Sequence, residues 1–156
     1  MEKLFILRHA DYNLDGSLSE KGKLETKQIS GLIKKDIDDK SVCILSSIAK
    51  RAIESSNLIA GELKIDKKHV FKINFLFSES HHCSKEESEQ IYQTIKKYLD
   101  KYKTIIIITH FQIVNGLFTY FLSEISDEKI ILDKPKTSEG YFINFNNKDW
   151  KNVQNA

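Results

Sequence analysis

The residues of this 156-residue chain best suited to do chemistry are Arg8, His9, Arg51 and His110. Arg8 and His9 directly follow Leu4-Phe5-Ile6-Leu7, an apolar run that reads as a strand buried on both faces. Ligands of open α/β sheets bind at the carboxyl ends of the strands. A cation beside an imidazole at that place could hold a phosphate and present a nucleophile to it. Taken alone, the dipeptide is better read as a surface arginine and a chance histidine. Composition sharpens the functional reading. Of 24 Lys plus Arg, only Arg8 and Arg51 are arginine. The planar guanidinium binds phosphate oxygens in pairs, which a lysine point charge cannot do.

The elements that must position these residues follow from periodicity and turn chemistry. Asp11 to Ser17 is rich in turn residues and reads as a loop. Ser19 is a suitable N-cap for a helix with Glu20 in its first turn and Leu24, Ile29, Leu32, Ile33 and Ile37 at helical spacing. Ser41 to Leu45 reads as a second buried strand. Ser46-Ser47 is expected to end it and to cap a helix over Ile48 to Leu63. Arg51 then falls in the first turn of that helix, where free N–H groups favour anions. Val70 to Phe77 is part strand, and Ser78 to Cys83 is a polar loop. Ser84 to Glu87 is a capping box, opening a helix with Ile91, Ile95, Tyr98, Leu99 and Tyr102 on one face. Thr104 to Thr109 is the strongest strand signal and is expected at the sheet centre. It ends in His110, ahead of a largely apolar helix from about Gln112 to Leu122. Ile130 to Leu132 is expected as an edge element and Gly140 to Phe145 as the last strand, with a polar, fraying tail from Asn146. Strands alternating with helices predict a three-layer α/β/α sandwich with a mostly parallel central sheet, and residues 1–156 are read as one domain.

In a parallel sheet, the ends carrying Arg8-His9, Arg51 and His110 face the same edge. Such a group can hold a phosphoryl unit by its oxygens while one imidazole attacks phosphorus. Glu79, after the third strand, is the natural general acid, with His81 and Asp11 as alternatives.

At this point the chain resembles the histidine phosphatase superfamily, the phosphoglycerate-mutase-like proteins. Leu7-Arg8-His9-Ala10 resembles the family's strand-Arg-His-Gly motif, and Leu18-Ser19-Glu20-Lys21-Gly22 its Leu-Thr-x-x-Gly element. Ser46-Ser47-Ile48-Ala49-Lys50-Arg51-Ala52 matches Ser-Ser-x-x-x-Arg-Ala, and Thr109-His110-Phe111 resembles Thr/Ser-His-Gly. The resemblance spans roughly Leu4 to Leu122. It implies that His9 takes the phosphoryl group, that Arg8, Arg51 and His110 form the phosphate pocket, and that no metal or cofactor takes part. Asn13 can be read as a turn residue or, through the resemblance, as a phosphate ligand. The chain departs from the pattern at Ala10 and Phe111, where the family has glycine. A position needing positive φ would be strained there, and Phe111 is expected to narrow or wall the pocket.

Other classes fit less well. A formal charge of +2 with interspersed Lys and acids predicts neither a nucleic-acid nor a membrane surface. No apolar run has the length of a membrane span, the N-terminus lacks a signal-peptide pattern, and two cysteines give no disulfide framework, so a reducing cytoplasm is the default. Cys43 reads as a buried thiol. His81-His82-Cys83 invites a metal, but adjacent residues rarely aim at one ion, and a polar loop is the better reading. The expectation is therefore a phosphatase working through phosphohistidine. Its short chain leaves little room for inserts over the site, which suits a bulky substrate such as a phosphohistidine protein. Sugar phosphates and nucleotides are the alternatives. A mutase would need a lid to shield its phosphoenzyme. A non-catalytic phosphate-binding module is the competing class, motivated by Ala10 and Phe111.

Overall fold

The computed structural model describes residues 1–37, 40–77 and 82–155. β1 (Lys3–Arg8) and β4 (Thr104–Thr109) pair in parallel, with Arg8 level with Thr109. β2 (Val42–Ser46) lies parallel on the other side of β4, followed by the short β3 (Val70–Lys72). The expected central place of Thr104–Thr109 is thus observed. β5 (Gly140–Asn144) pairs antiparallel with β1, and β6 (Asp149–Val153) antiparallel with β5, giving the order β3-β2-β4-β1-β5-β6.

Side-chain alternation divides the sheet into two apolar faces. Phe5, Leu7, Ile44, Ile106 and Ile108 meet Ile29 and Ile33 of α1 (Glu20–Asp36) and Ala52 and Ile59 of α2 (Lys50–Leu63). Leu4, Ile6, Leu45, Ile105 and Ile107 meet Ile91 and Ile95 of α3 (Lys85–Leu99) and Val114, Leu117 and Phe118 of α4 (Phe111–Leu122). The result is the expected α/β/α sandwich. Both faces are apolar, so a one-residue slip of β1 would move Phe5 and Leu7 into the wrong layer. That same register fixes Arg8 and His9.

The predicted caps hold at two helix starts. The Ser19 hydroxyl accepts from the Gly22 N–H at 3.0 Å, and Ser84 and Glu87 form the reciprocal capping box. They fail at the third. α2 starts at Lys50 behind Ala49, whose side chain has no acceptor; Ser47 lies two residues before that cap position and its hydroxyl pairs with His110. Leu24, one of the apolar residues at helical spacing in α1, is exposed. Ile130 to Leu132 forms no strand, and Ile131 is fully exposed. The polar tail does not fray from Asn146: Asp149–Val153 completes a hairpin with β5. Gly140 to Ile143 are buried because β6 takes the sheet edge and leaves β5 an inner strand. No helix among the described residues is long and apolar enough to cross a membrane. Cys43 is fully buried, and burial pushes its thiol up to about 12.

Two glycines are required by close approach. A Cβ on Gly22 would lie 2.0 Å from the Asp11 carbonyl oxygen, and one on Gly140 would lie 2.0 Å from that of Ile6. Gly22 therefore lets the start of α1 press against the loop leaving His9. This gives a physical role to the glycine that closes the Leu18-to-Gly22 element.

Candidate active site

Alternation along β1 sends its last side chains to opposite sides of the sheet edge. Arg8 shares parity with Leu4 and Ile6, on the layer of α3 and α4, and His9 with Phe5 and Leu7, on the layer of α1 and α2. His110 follows Ile106 and Ile108 in parity, so it arrives on the same side as His9. The backbone ladder continues past the strands. His9 N–H donates to the Thr109 carbonyl at 2.8 Å and Ser47 N–H to that of Ile108 at 2.8 Å. The imidazoles of His9 and His110 then meet edge to face, with centroids 5.0 Å apart.

Arg51, the second residue of α2, bridges them. Its Nε–H donates to His9 Nε2 at 2.9 Å and its Nη2 to His110 Nδ1 at 3.3 Å. A guanidinium only donates, so both receiving nitrogens carry lone pairs. The other ring nitrogens therefore carry the protons. His9 Nδ1–H donates to the Ala10 carbonyl at 2.9 Å, and His110 Nε2–H to Ser47 Oγ at 2.9 Å. The tautomers are thus fixed by their second partners. Each histidine is only 3% exposed. Tyr12 closes over this group: its ring lies 4.6 Å from the Arg51 guanidinium carbon and meets His9 edge-on at 5.2 Å. Phe77 meets the His110 ring edge-on at 5.3 Å.

Arg8 approaches from the other layer. Its Nη1 donates to the Pro135 carbonyl at 3.1 Å, its Nε is buried without a partner among the described residues, and its guanidinium carbon lies 5.4 Å from the centre of the Phe111 ring. Burial, together with the nearby charge of Arg51, lowers the Arg8 pKa. The backbone around His9 is tied on both sides. Ala10 N–H donates to Ser55 Oγ at 3.0 Å, and Ser138 N–H to the His9 carbonyl at 3.2 Å. Ala10 and Phe111 do not adopt positive φ, so replacing the family's glycines strains neither. Phe111 does wall the site, as expected.

Burial pushes His9 down to about 3 and His110 down to about 4. For His9 the Ala10 carbonyl opposes the fall, while the neighbouring charge of His110, Arg51 and Arg8 adds to it. Arg51 and then Arg8 add to that of His110. Both rings are therefore neutral at pH 7, the state a nucleophile needs. An unfolded histidine takes a proton near pH 6.5, whereas these hold off until about 4 and 3. The unfolded chain binds more protons in that window, so these two groups favour folding most above pH 6.5 and less as pH falls. Their ring NMR signals are expected to stay at neutral-imidazole positions from pH 8 to about 5. A titration midpoint near 6.5 for either would contradict the buried geometry.

Of the remaining candidates, Asn13 donates from Nδ2 to Ser17 Oγ and the Leu18 carbonyl, both at 3.3 Å. It behaves as a turn residue of its loop. Asp11 Oδ2 accepts from Ser19 Oγ at 2.6 Å, tying that carboxyl to the start of α1. Glu79 and His81 lie outside the described residues. Ser47, Tyr12 and Ser55 were not singled out from the sequence. Ser47 belongs to the Ser-Ser-x-x-x-Arg element, where a strand-end serine looks the same as a cap. Pro135, the chain's one proline, marks the segment that reaches Arg8.

No family model matches the sequence, and no curated protein matches it. Solved structures do match in fold. The chain is similar to a mycobacterial hydrolase at 13% identity and TM-score 0.67, with 99% of both chains covered. It is similar to the mycobacterial glucosyl-3-phosphoglycerate phosphatase at 14% identity and TM-score 0.65, with 99% of both covered. It is also similar to the protein histidine phosphatase SixA in complex with tungstate, at 14% identity and TM-score 0.61, covering 97% of this chain and 94% of that one. The fold is that of the histidine phosphatases, as the sequence motifs implied.

Proposed function

We propose that this chain is a histidine-type phosphatase, working through a phosphohistidine formed on His9 and acting on phosphohistidine in proteins. The observation that carries the catalytic reading is the Arg51 bridge between two buried, neutral imidazoles at the meeting point of β1, β2 and β4. A phosphoryl dianion binds a guanidinium far better than a neutral imidazole does. Substrate oxygens therefore draw Arg51 from the rings onto themselves, which uncaps His9 Nε2 for attack. The new N–P bond forms as the bond from phosphorus to the leaving group breaks. The ring gains positive charge, which the Nδ1–H bond to the Ala10 carbonyl stabilises. Arg8 and Arg51 hold the equatorial oxygens, supplying the positive charge that phosphoryl transfer requires, while the neutral His110 lines the same pocket. Water then attacks phosphorus, releasing inorganic phosphate and neutral His9. A phosphohistidine substrate protonated on its other ring nitrogen departs as neutral imidazole, and the attacking water passes a proton to the phosphate released.

The protein-substrate part of the reading is supported by the rim. Tyr12, Leu14, Ile48, Phe75 and Phe77 are all exposed and sit on the segments that follow β1, β2 and β3. Large apolar side chains gathered around one sheet edge suit a protein surface better than a sugar. The solved SixA, a protein histidine phosphatase of this fold, is consistent with it.

The test is hydrolysis of a generic aryl phosphate and of a phosphohistidine protein, each with EDTA present. Turnover of both with a clear preference for the protein is expected. Equal or better turnover of a sugar phosphate or nucleotide would overturn the substrate assignment. Phosphate binding by folded protein, with no turnover of any phosphate compound, would favour the non-catalytic module.

A further inference from the structure

Three cations converge at this sheet edge: Arg8, Arg51 and Lys134. None forms an ion pair with a carboxylate among the described residues. Arg8 is bonded to a neutral carbonyl and Arg51 to neutral imidazoles. The Lys134 Nζ sits 3.8 Å from the centre of the Phe111 ring, the same ring that lies 5.4 Å from the Arg8 guanidinium carbon. The two charges thus share one aromatic surface.

The placement of Lys134 is built into the backbone on either side of it. The Asp133 carbonyl accepts from Asn115 Nδ2 and from the Tyr141 hydroxyl, both at 3.2 Å. The Pro135 carbonyl accepts from Arg8. Lys134 is therefore pinned between two anchored carbonyls, with its exposed side chain laid on Phe111. Phe111 is the first residue of α4, directly after His110. Its ring is the platform that brings the ammonium to the phosphate side of the molecule. A contact with a ring face is weak enough for an ammonium to exchange for an anion. The two arginines suffice for one phosphoryl group, so the lysine is left over.

We propose that Lys134, seated on Phe111, is a specificity residue that binds a side-chain carboxylate flanking the phosphorylated residue of an acidic polypeptide segment. This rests on the phosphatase reading of the same site and adds the charge of the preferred substrate to it. The apolar rim and the extra cation together describe a partner surface that is apolar with acidic residues beside the phosphoryl group.

The experiment is calorimetric binding, which needs no turnover. Two peptides carry one stable phosphohistidine analogue, flanked by Asp and Glu in one and by Asn and Gln in the other. Wild type is expected to bind the acidic peptide about five- to tenfold more tightly. Lys134→Met should bring the two peptides level, Lys134→Glu should invert the preference, and Phe111→Leu should weaken it by removing the platform. Absence of a preference in wild type, or a preference that survives in Lys134→Met, overturns the inference. Tungstate is titrated in parallel into wild type. If it binds while the peptides show no charge preference, the phosphate site stands and the role of Lys134 falls. If it does not bind, the phosphate site itself falls.

Discussion

Replacing His9 with alanine is expected to remove turnover almost completely, by roughly four orders of magnitude or more in kcat, the scale seen when a covalent nucleophile is deleted. The side chain is 3% exposed, its tautomer is set by the Ala10 carbonyl, and its Nε2 lone pair accepts from Arg51. His110 is neutral and nearby but cannot replace it. Its Nε2–H is committed to Ser47, and its Nδ1 belongs to a ring displaced by 5.0 Å. The measurement has two parts: steady-state turnover, and acid-labile, base-stable phosphate bound to protein after rapid quenching. Wild type should carry the label and His9→Ala should not, with thermal unfolding recorded for both. A folded His9→Ala enzyme that keeps more than a few per cent of the activity would remove His9 from the nucleophile role.

The second large effect is expected at Arg51. One guanidinium spans both imidazoles through Nε and Nη2 and stacks on Tyr12. Lysine would keep the charge but offers a single ammonium, which cannot match two sites with fixed angles. Arg51→Lys is expected to lower kcat/KM about 10²- to 10³-fold, the scale of losing a preorganised donor to the transition state. Much of the loss should fall on kcat, because the second donor matters most when charge spreads over the equatorial oxygens. Activity within tenfold of wild type would mean that a point charge suffices there and that the fork geometry is incidental.

The site was legible in the sequence to the extent that strand ends were. Arg8, His9 and His110 stand directly behind apolar runs that can only be buried strands. Arg51 stands out because arginine is so rare here. Alternation then fixes which side of the sheet each reaches, so the convergence of these residues follows from the strand assignments. What was not legible depends on contacts distant in sequence. Ser47 reads as a helix cap until β4 brings His110 to it across 63 residues. The segment around Lys134 has no periodicity, and its anchors lie on Arg8, Asn115 and Tyr141. The β6 strand was missed because Asp149-Trp150-Lys151-Asn152-Val153 is an edge strand that buries little beyond Val153. Its pairing comes from β5, whose own burial comes from the whole sheet. Leu24 fits a helical stripe yet faces solvent, since spacing gives the angle of a face and not its width.

That missed hairpin bears on how the protein ages. Because β5 and β6 lie outside β1, the strand that leads into His9 has hydrogen-bonded neighbours on both sides, β4 and β5. Its amides can exchange with solvent only when the middle of the sheet opens, so its lifetime is that of the fold itself. Fraying from either margin removes β3 or β6 first and leaves the strand between β4 and β5 in place. Fraying of the sheet margins therefore does not displace His9 while the remainder persists. Under heat or denaturant, loss of activity through this strand should coincide with global unfolding.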